Sequence, residues 1–230
     1  MPSVSIFIPV YNEEEMLSEN VVHLMSYLDN NLPGYEIVIV SNGSTDSTVK
    51  IGKALAAEHP EITFSHTDER GVGHAFRRGV LLARADRIIT LDIDLTTDID
   101  FIPRACELLD EYDIVIGSKK RGIQERSAVR VMGSGLFILS ARALFGLPYG
   151  DYSIGAKAYQ KRMILKYLDH VDYGSSYVLE IIYRSWRNGA RIIEVPVRCS
   201  DARKSHFNLV HEGLYRFYRL FRLWFKSGTE

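Results

Sequence analysis

Asp92-Ile93-Asp94 is the part of this sequence with the clearest chemical potential. The two aspartates follow the apolar run Arg87–Leu91, which reads as a buried strand. Alternate residues leaving a strand point the same way, so both carboxylates can approach one cation. Hard oxygen donors of this kind suit Mg2+ or Mn2+, ions that commonly also bind substrate phosphates. Asp98 and Asp100 lie close behind. A turn or helix-capping acid cluster is therefore the competing reading, and the position directly after a strand is what favours a metal.

Three further groups could do chemistry. Ser41-Asn42-Gly43-Ser44-Thr45-Asp46 joins a strand to a helix. It is either a well-capped turn or a set of polar groups, Asn42 and Asp46 among them, that reads a nucleoside. Arg70-Gly71-Val72-Gly73 opens a helix, where glycine admits close backbone approach and the helix N-terminus favours phosphate; an ordinary helix start looks the same. Lys119, Lys120, Arg121, Arg126 and Arg130 fall in one stretch that is either a solvated basic loop or a phosphate cradle. Asp151 is the best-placed carboxylate for a general base, with a cap as the alternative, while His74, His206 and His211 read as structural or surface residues.

These residues need a scaffold, and the spacing of apolar residues supplies one. Strands are expected at Val4–Val10, Glu36–Val40, Ile62–His66, Arg87–Leu91 and Asp113–Ser118, with helices over Glu13–Leu28, from Ser44-Thr45-Asp46 to about His59, and over Gly71–Ala83. The later part predicts helices at Val129–Leu144, Tyr177–Arg187 and Asn208–Lys226, and strands at Ser153–Tyr159 and Arg191–Val197. Alternation of strand and helix implies an α/β fold with a mostly parallel sheet flanked by helices. Ligands of such sheets bind beyond the carboxyl ends of the strands. Tyr11-Asn12-Glu13, Ser41-Asn42-Gly43, Asp92 with Asp94, and Lys119 all stand there.

Composition narrows the function classes. At 230 residues, with no repeat, low-complexity stretch or linker, the chain reads as a single domain. A net charge of −1 gives no global attraction to nucleic acid. Cys106 and Cys199 are too far apart for a ligand pair and read as buried reduced thiols. The short apolar N-terminus reads as a strand and not a leader, and no apolar run is long enough for a membrane span. The expected location is cytoplasmic.

Taken together, Ile8-Pro9-Val10-Tyr11-Asn12-Glu13, Asn42-Gly43-Ser44-Thr45-Asp46, Gly71-x-Gly73, Leu91-Asp92-Ile93-Asp94-Leu95, Gly117-Ser118-Lys119 and Glu194-Val195-Pro196-Val197 followed by Arg203-Lys204-Ser205 resemble a family 2 glycosyltransferase. The likeness is greatest to the dolichyl-phosphate mannose and glucose synthases and covers almost the whole chain. It implies a GT-A fold and inverting transfer from a nucleotide sugar, a UDP- or GDP-hexose. Residues 1–118 would bind that donor, residues 119–207 the acceptor, and residues 208–230 would form an amphipathic helix. It implies nucleoside contacts from Pro9, Tyr11 and Glu13, and metal coordination by Asp92 and Asp94. It further implies phosphate contacts from Lys119 with Arg126 or Arg130, and a basic loop with Arg203 and Ser205 that closes over the site.

The chain departs from that family at Ser41 and Asn42, where relatives carry aspartate, at Thr96, where the mannose synthases often have glutamine, and at Lys119, which replaces an arginine. These differences argue against copying GDP-mannose as the donor. The leading expectation is transfer to a polyprenyl phosphate, which is already ionised and needs cations more than a base. A saccharide hydroxyl acceptor, with Asp151 as base, is the second reading, and a non-catalytic nucleotide-sugar or membrane-binding module is the third. Arg216, Arg219, Arg222 and Lys226 recur at helical spacing among Tyr215, Phe217, Tyr218, Phe221, Trp224 and Phe225. That pattern suits either a helix lying on the cytoplasmic membrane face or one packed on the domain or on a second copy of the chain.

Overall fold

A computed structural model describes residues 1–119, 124–125, 128–200 and 209–227. The strands are β1 (Val4–Val10), β2 (Tyr35–Asn42), β3 (Ile62–Thr67), β4 (Arg87–Thr90), β5 (Ile114–Ser118), β6 (Gln124–Glu125), β7 (Lys157–Gln160), β8 (Ile192–Pro196) and β9 (Cys199–Ser200). The helices are α1 (Leu17–Asn31), α2 (Thr48–Glu58), α3 (Val72–Leu82), α4 (Phe101–Leu108), α5 (Ala128–Phe145), α6 (Lys161–Leu165), α7 (Tyr177–Arg187) and α8 (Leu209–Ser227).

The main sheet has seven strands in the order β3-β2-β1-β4-β7-β5-β8. β1 runs parallel to β2 and β4, β2 to β3, and β5 to β8, whereas β7 is antiparallel to both β4 and β5. β6 and β9 form a separate small pair.

Both faces of the sheet are covered, which is why the strand sequences read as apolar runs. Ile6, Ile8, Ile37 and Ile39 face α1, α2 and α4, whereas Phe7, Val38, Ile88, Ile116 and Tyr159 face α3, α5, α7 and α8. Each large side chain so buried contributes about 1.5–3 kcal/mol relative to exposure. Gly79 lets α3 lie directly on β1, since a Cβ there would sit 2.2 Å from the Phe7 ring.

Several expected boundaries move, each for a local reason. α1 begins at Leu17 and not at Glu13, because the amides of Glu13 and Glu14 donate to Thr48 Oγ1 (2.8 Å) and Asp46 Oδ2 (3.2 Å) in the neighbouring loop. The strand expected over Ser153–Tyr159 is confined to Lys157–Gln160. Asp151 Oδ1 accepts the amides of Ser153 and Ile154 (2.9 and 3.1 Å), which folds 150–155 into a loop. α4 was not expected; Pro103 fits its first turn, where a missing N–H loses no bond. Cys106 and Cys199 are buried free thiols. No helix among the described residues is long and apolar enough to cross a membrane.

Candidate active site

The carboxyl ends of β1 and β2 are clasped together by their loops. Asn12 takes a left-handed conformation (φ 52°), which asparagine tolerates better than most residues. Its amide donates to Ser44 Oγ (3.1 Å) and its Oδ1 accepts the Thr45 amide (2.8 Å). Asp46 accepts the amides of Glu14 and Thr48 (3.2 and 2.9 Å). Partial burial pushes the Asp46 carboxyl up, but the Thr48 and Glu14 hydrogen bonds outweigh it and hold the group below the usual range. Asp46 is thus committed to the clasp.

Tyr11 leaves β1 half-exposed, beside the half-buried Pro9 at the strand's end, with the Arg70 guanidinium 4.4 Å above its ring. Asn42 is buried and acts as a strut. Its Nδ2 donates to the Val10 carbonyl (3.0 Å) and its Oδ1 accepts the Gly71 amide (3.2 Å). That bond brings Arg70 to Tyr11. Ser41 Oγ lies 3.1 Å from His66 Nδ1, and His66 Nε2 lies 3.2 Å from Asp68. His66 thus links Ser41 at the end of β2 to the exposed Asp68.

Asp92 and Asp94 emerge from β4 on either side of the buried Ile93. Leu95 closes a tight turn (φ 49°) by donating its amide to the Asp92 carbonyl, and Asn20 of α1 pins the Ile93 carbonyl at 2.9 Å. Asp94 Oδ1 accepts the amide and hydroxyl of Thr96 (3.1 and 3.0 Å), and Asp92 Oδ2 accepts the Gly155 amide (3.2 Å). Among the described residues no cluster of three or more acidic, histidine or cysteine side chains could enclose a metal. Two carboxylates are hard oxygen donors of the kind that suit a divalent ion also held by phosphate and water oxygens.

Next to this pair lies the loop 150–157. Asp151 is 3% exposed. Its Oδ1 accepts from the Ser153 amide, the Ser153 hydroxyl and the Ile154 amide, and its Oδ2 from the Lys119 amide at 3.3 Å. Lys119 Nζ is 3.9 Å from Oδ2. Burial pushes the Asp151 carboxyl up, but Lys119, Lys157 and the loop amides together bring it below the ordinary range. A clamped carboxylate held ionised in this way is a poor proton acceptor. Asp151, expected as a base for a hydroxyl acceptor or as a cap, here caps the 151–154 loop and accepts the Lys119 amide.

The Gly71–Gly73 segment, expected as either a phosphate site or an ordinary helix start, packs against the 172–173 backbone. The amides of Gly73 and His74 donate to the Tyr173 carbonyl (2.9 and 3.3 Å), and a Cβ on Gly73 would lie 2.0 Å from the Asp172 carbonyl oxygen. His74 stacks on the Tyr173 ring at 4.1 Å. The close approach that requires glycine is made by the chain's own 172–173 backbone.

The basic stripe expected along α8 divides in two. Arg216 donates to the Tyr152 carbonyl (3.1 Å), and Arg219 pairs with Glu180 (2.8 Å) and Asp172 (3.1 Å), because buried carboxylates of α7 and its preceding loop need counter-charges. Only Arg222 and Lys226 of the stripe are exposed. Lys120, Arg121, Arg126, Arg203, Ser205 and His206 lie outside the described residues. Arg130 and His211 are described only as backbone positions of α5 and α8. Sequence reasoning passed over Lys157, gave His66 no role beyond a strand, and read Arg216 only as part of the basic stripe. A lysine between apolar residues in Ala156-Lys157-Ala158-Tyr159 was the available signal for Lys157.

The profile of Glycosyl transferase family 2 matches residues 5–168. The chain belongs to that family. It is 29% identical over 240 residues to Glycosyltransferase AglD of Haloferax volcanii, an alignment covering 97% of this chain and 37% of the relative. It is 28% identical over 230 residues to the Dolichol-phosphate mannosyltransferase of Pyrococcus furiosus, covering 95% and 64%. It is 32% identical over 168 residues to the Undecaprenyl-phosphate 4-deoxy-4-formamido-L-arabinose transferase of Shewanella sediminis, covering 72% and 50%. The chain therefore spans about a third to two thirds of the length of these family 2 relatives.

Among solved structures, mannosyl-3-phosphoglycerate synthase from Rubrobacter xylanophilus superposes with a TM-score of 0.73 at 15% identity, covering 100% of this chain and 76% of that one. Glucosyl-3-phosphoglycerate synthase from Mycobacterium tuberculosis, in complex with Mn2+ and UDP-glucose, gives 0.70 at 15% identity, covering 97% and 79%. The fold is accordingly GT-A.

Proposed function

We propose that this family 2 glycosyltransferase moves a hexose from a nucleoside-diphosphate sugar to a polyprenyl phosphate, with inversion, at a membrane surface. The observation that carries the acceptor class is the state of Asp151. A sugar hydroxyl must lose its proton, and the carboxylate best placed to take it is buried, ionised and clamped by amides. A phosphate monoester attacks without that step. The names of the dolichol- and undecaprenyl-phosphate relatives point the same way.

In this reading Tyr11, Arg70 and the Ser41–His66–Asp68 group receive the nucleoside at the ends of β1, β2 and β3. Asp92 and Asp94 hold the divalent ion. The ion would neutralise charge on the departing diphosphate. Lys119, 8% exposed and fixed by Asp151, presents a cation to the same phosphates. Arg126, Arg130, Arg203 and Ser205 remain the proposed acceptor and closing groups. Mn2+ with UDP-glucose in the mycobacterial synthase supports a divalent ion and a uridine donor, and Mg2+ with a guanosine donor stays within the panel to be assayed.

The membrane reading rests on α5 and α8, which pack through Phe137 and Phe217 (5.6 Å). α5 exposes Met132, Leu136 and Leu139, and α8 exposes Leu214, Tyr218, Phe221 and Phe225. Both sets follow helical spacing, so each helix presents one apolar stripe. Apolar surface on adjoining helices, bordered by Arg222 and Lys226, suits the headgroup boundary of a bilayer on its cytoplasmic side.

The test is transfer of radiolabel from UDP- and GDP-hexoses to polyprenyl phosphate, followed by solvent extraction. Metal-dependent label in the organic phase is expected, and Asp92→Ala or Asp94→Ala should abolish it. Label that stays in water-soluble glycan would replace the lipid phosphate with a hydroxyl acceptor. Donor binding without turnover on any acceptor would indicate a non-catalytic module.

A further inference from the structure

Lys157 is fully buried, at 0% exposure, on the one strand of the main sheet that runs against its neighbours. Lysine is almost never found so placed without a partner that needs its charge. It faces Thr90 of β4 across one side and Ile116 of β5 across the other. These positions stand two residues before Asp92 and three before Lys119. Its Nζ donates to the Ile154 carbonyl, and the charges around it are Asp151, Lys119, Asp92 and Arg216. Burial pushes its ammonium down to about 8, opposed chiefly by Asp151.

We propose that Lys157 is a positioning residue whose buried charge locks the loop 150–155 and, through it, sets both Asp92 and Lys119. The inference rests on the transferase reading for its kinetic consequences, but its structural content stands apart from it. Asp151 is 3% exposed with Lys119 Nζ 3.9 Å away, and Lys157 is the second cation beside it. Ionised, it gathers the amides of Lys119, Ser153 and Ile154. That gathering presents the Gly155 amide to Asp92 at 3.2 Å, while Thr90 Oγ1 donates to the Gly155 carbonyl. One loop thus ties the metal-binding carboxylate to the phosphate-binding lysine. Hydrophobes in place of both charges of a buried pair can be neutral, but removing Lys157 alone leaves the buried Asp151 short of a counter-charge, so the lysine is tied to that loop. The charge is retained for geometry at the site.

Amide hydrogen exchange by NMR in Lys157→Met reads this directly. Faster exchange is expected at Lys119, Ser153, Ile154 and Gly155 in a protein whose circular dichroism is unchanged. Transfer should slow by about ten- to a hundredfold, the range expected of a small displacement of reacting groups. The loss should be non-additive with that of Lys119→Met, since both act through one cation. Lys157→Gln keeps a donor for Ile154 without the charge and serves if the Met variant does not fold. Unchanged exchange at those amides in either folded variant would overturn the inference. Should the wild-type protein transfer no sugar, the transferase reading fails while the exchange experiment still decides the role of Lys157.

Discussion

Gly155→Ala isolates the position of one carboxylate. A Cβ at residue 155 would stand 2.4 Å from Asp92 Oδ2 and 2.5 Å from its Cγ and Oδ1, against an ordinary contact of 3.4–4 Å. Gly155 has no left-handed conformation, so alanine is free of backbone strain there. The Asp92 side chain is exposed and can retreat, and it must do so by about 1 Å, losing the 3.2 Å bond from the Gly155 amide. Water replaces that bond, so stability should change by less than about 1 kcal/mol. Catalysis is less forgiving: a misplacement of about 1 Å can slow a reaction about a hundredfold, roughly 2.7 kcal/mol of barrier. Single-turnover transfer at saturating donor, across a Mn2+ titration, measures the effect. A slower rate with weaker metal dependence and an unchanged melting temperature is expected. Wild-type turnover in folded Gly155→Ala would refute the claim that Asp92 must sit where the loop places it.

Other perturbations test other parts of the argument. Gly73→Ala drives a Cβ to 2.0 Å from the Asp172 carbonyl, so the backbone must yield, and thermal unfolding should show a loss of about 1–3 kcal/mol. Phe221→Ser with Phe225→Ser removes two exposed rings of α8. Liposome affinity in flotation should fall by about a hundredfold or more, taking at least about 1.5 kcal/mol per ring, and undiminished flotation would remove α8 from the membrane reading. Glu36 is fully buried and accepts from Ser5 Oγ and from the Arg84 amide and Nε. Burial pushes its carboxyl up, but the Ser5 and Arg84 bonds outweigh it and leave it below 4.5. A folded-state pKa below the unfolded one contributes stability above pH 4.5 that is lost as pH falls through the folded value. Arg84 is 59% exposed, so most of this lies in the hydrogen bonds and little in the ion pair. Glu36→Gln should cost about 1–3 kcal/mol at pH 7 in urea unfolding, with the difference narrowing toward pH 3. Parallel curves across that range would contradict the assignment.

The parts of this fold legible in the sequence are those whose signal is local. β1 and β2 read directly because both of their faces are buried, and α7 because its apolar residues keep one helical phase. The placement of Asp92 and Asp94 directly after β4 was legible for a similar reason, whereas the turn at Leu95 was not. β7 was expected to start too early because Asp151 claims the amides of Ser153 and Ile154, and its antiparallel direction depends on neighbours distant in sequence. Asp46, Asn42 and Gly73 were rightly singled out as unusual, but the sequence could not say who their partners are. For each, at least one partner lies about thirty or more residues away in the chain.

Asp151 shows why this distinction bears on mechanism. The same aspartate near a substrate is a base if its oxygens are free and an anchor if they are engaged, and its residue type is silent between the two. What decides is the company of Lys119, Lys157 and the Ser153 and Ile154 amides. Asp151→Asn separates the cases. A base replaced by an amide loses the chemical step, and the loss for a hydroxyl acceptor grows with the acceptor's pKa. An anchor so replaced leaves the dependence on acceptor pKa unchanged and weakens phosphate binding through Lys119, raising KM for the donor. A rise in donor KM, with kcat still responding to Lys119→Met, is expected. Loss of kcat alone, recovered by a more acidic acceptor, would return Asp151 to the role of base and with it the hydroxyl acceptor.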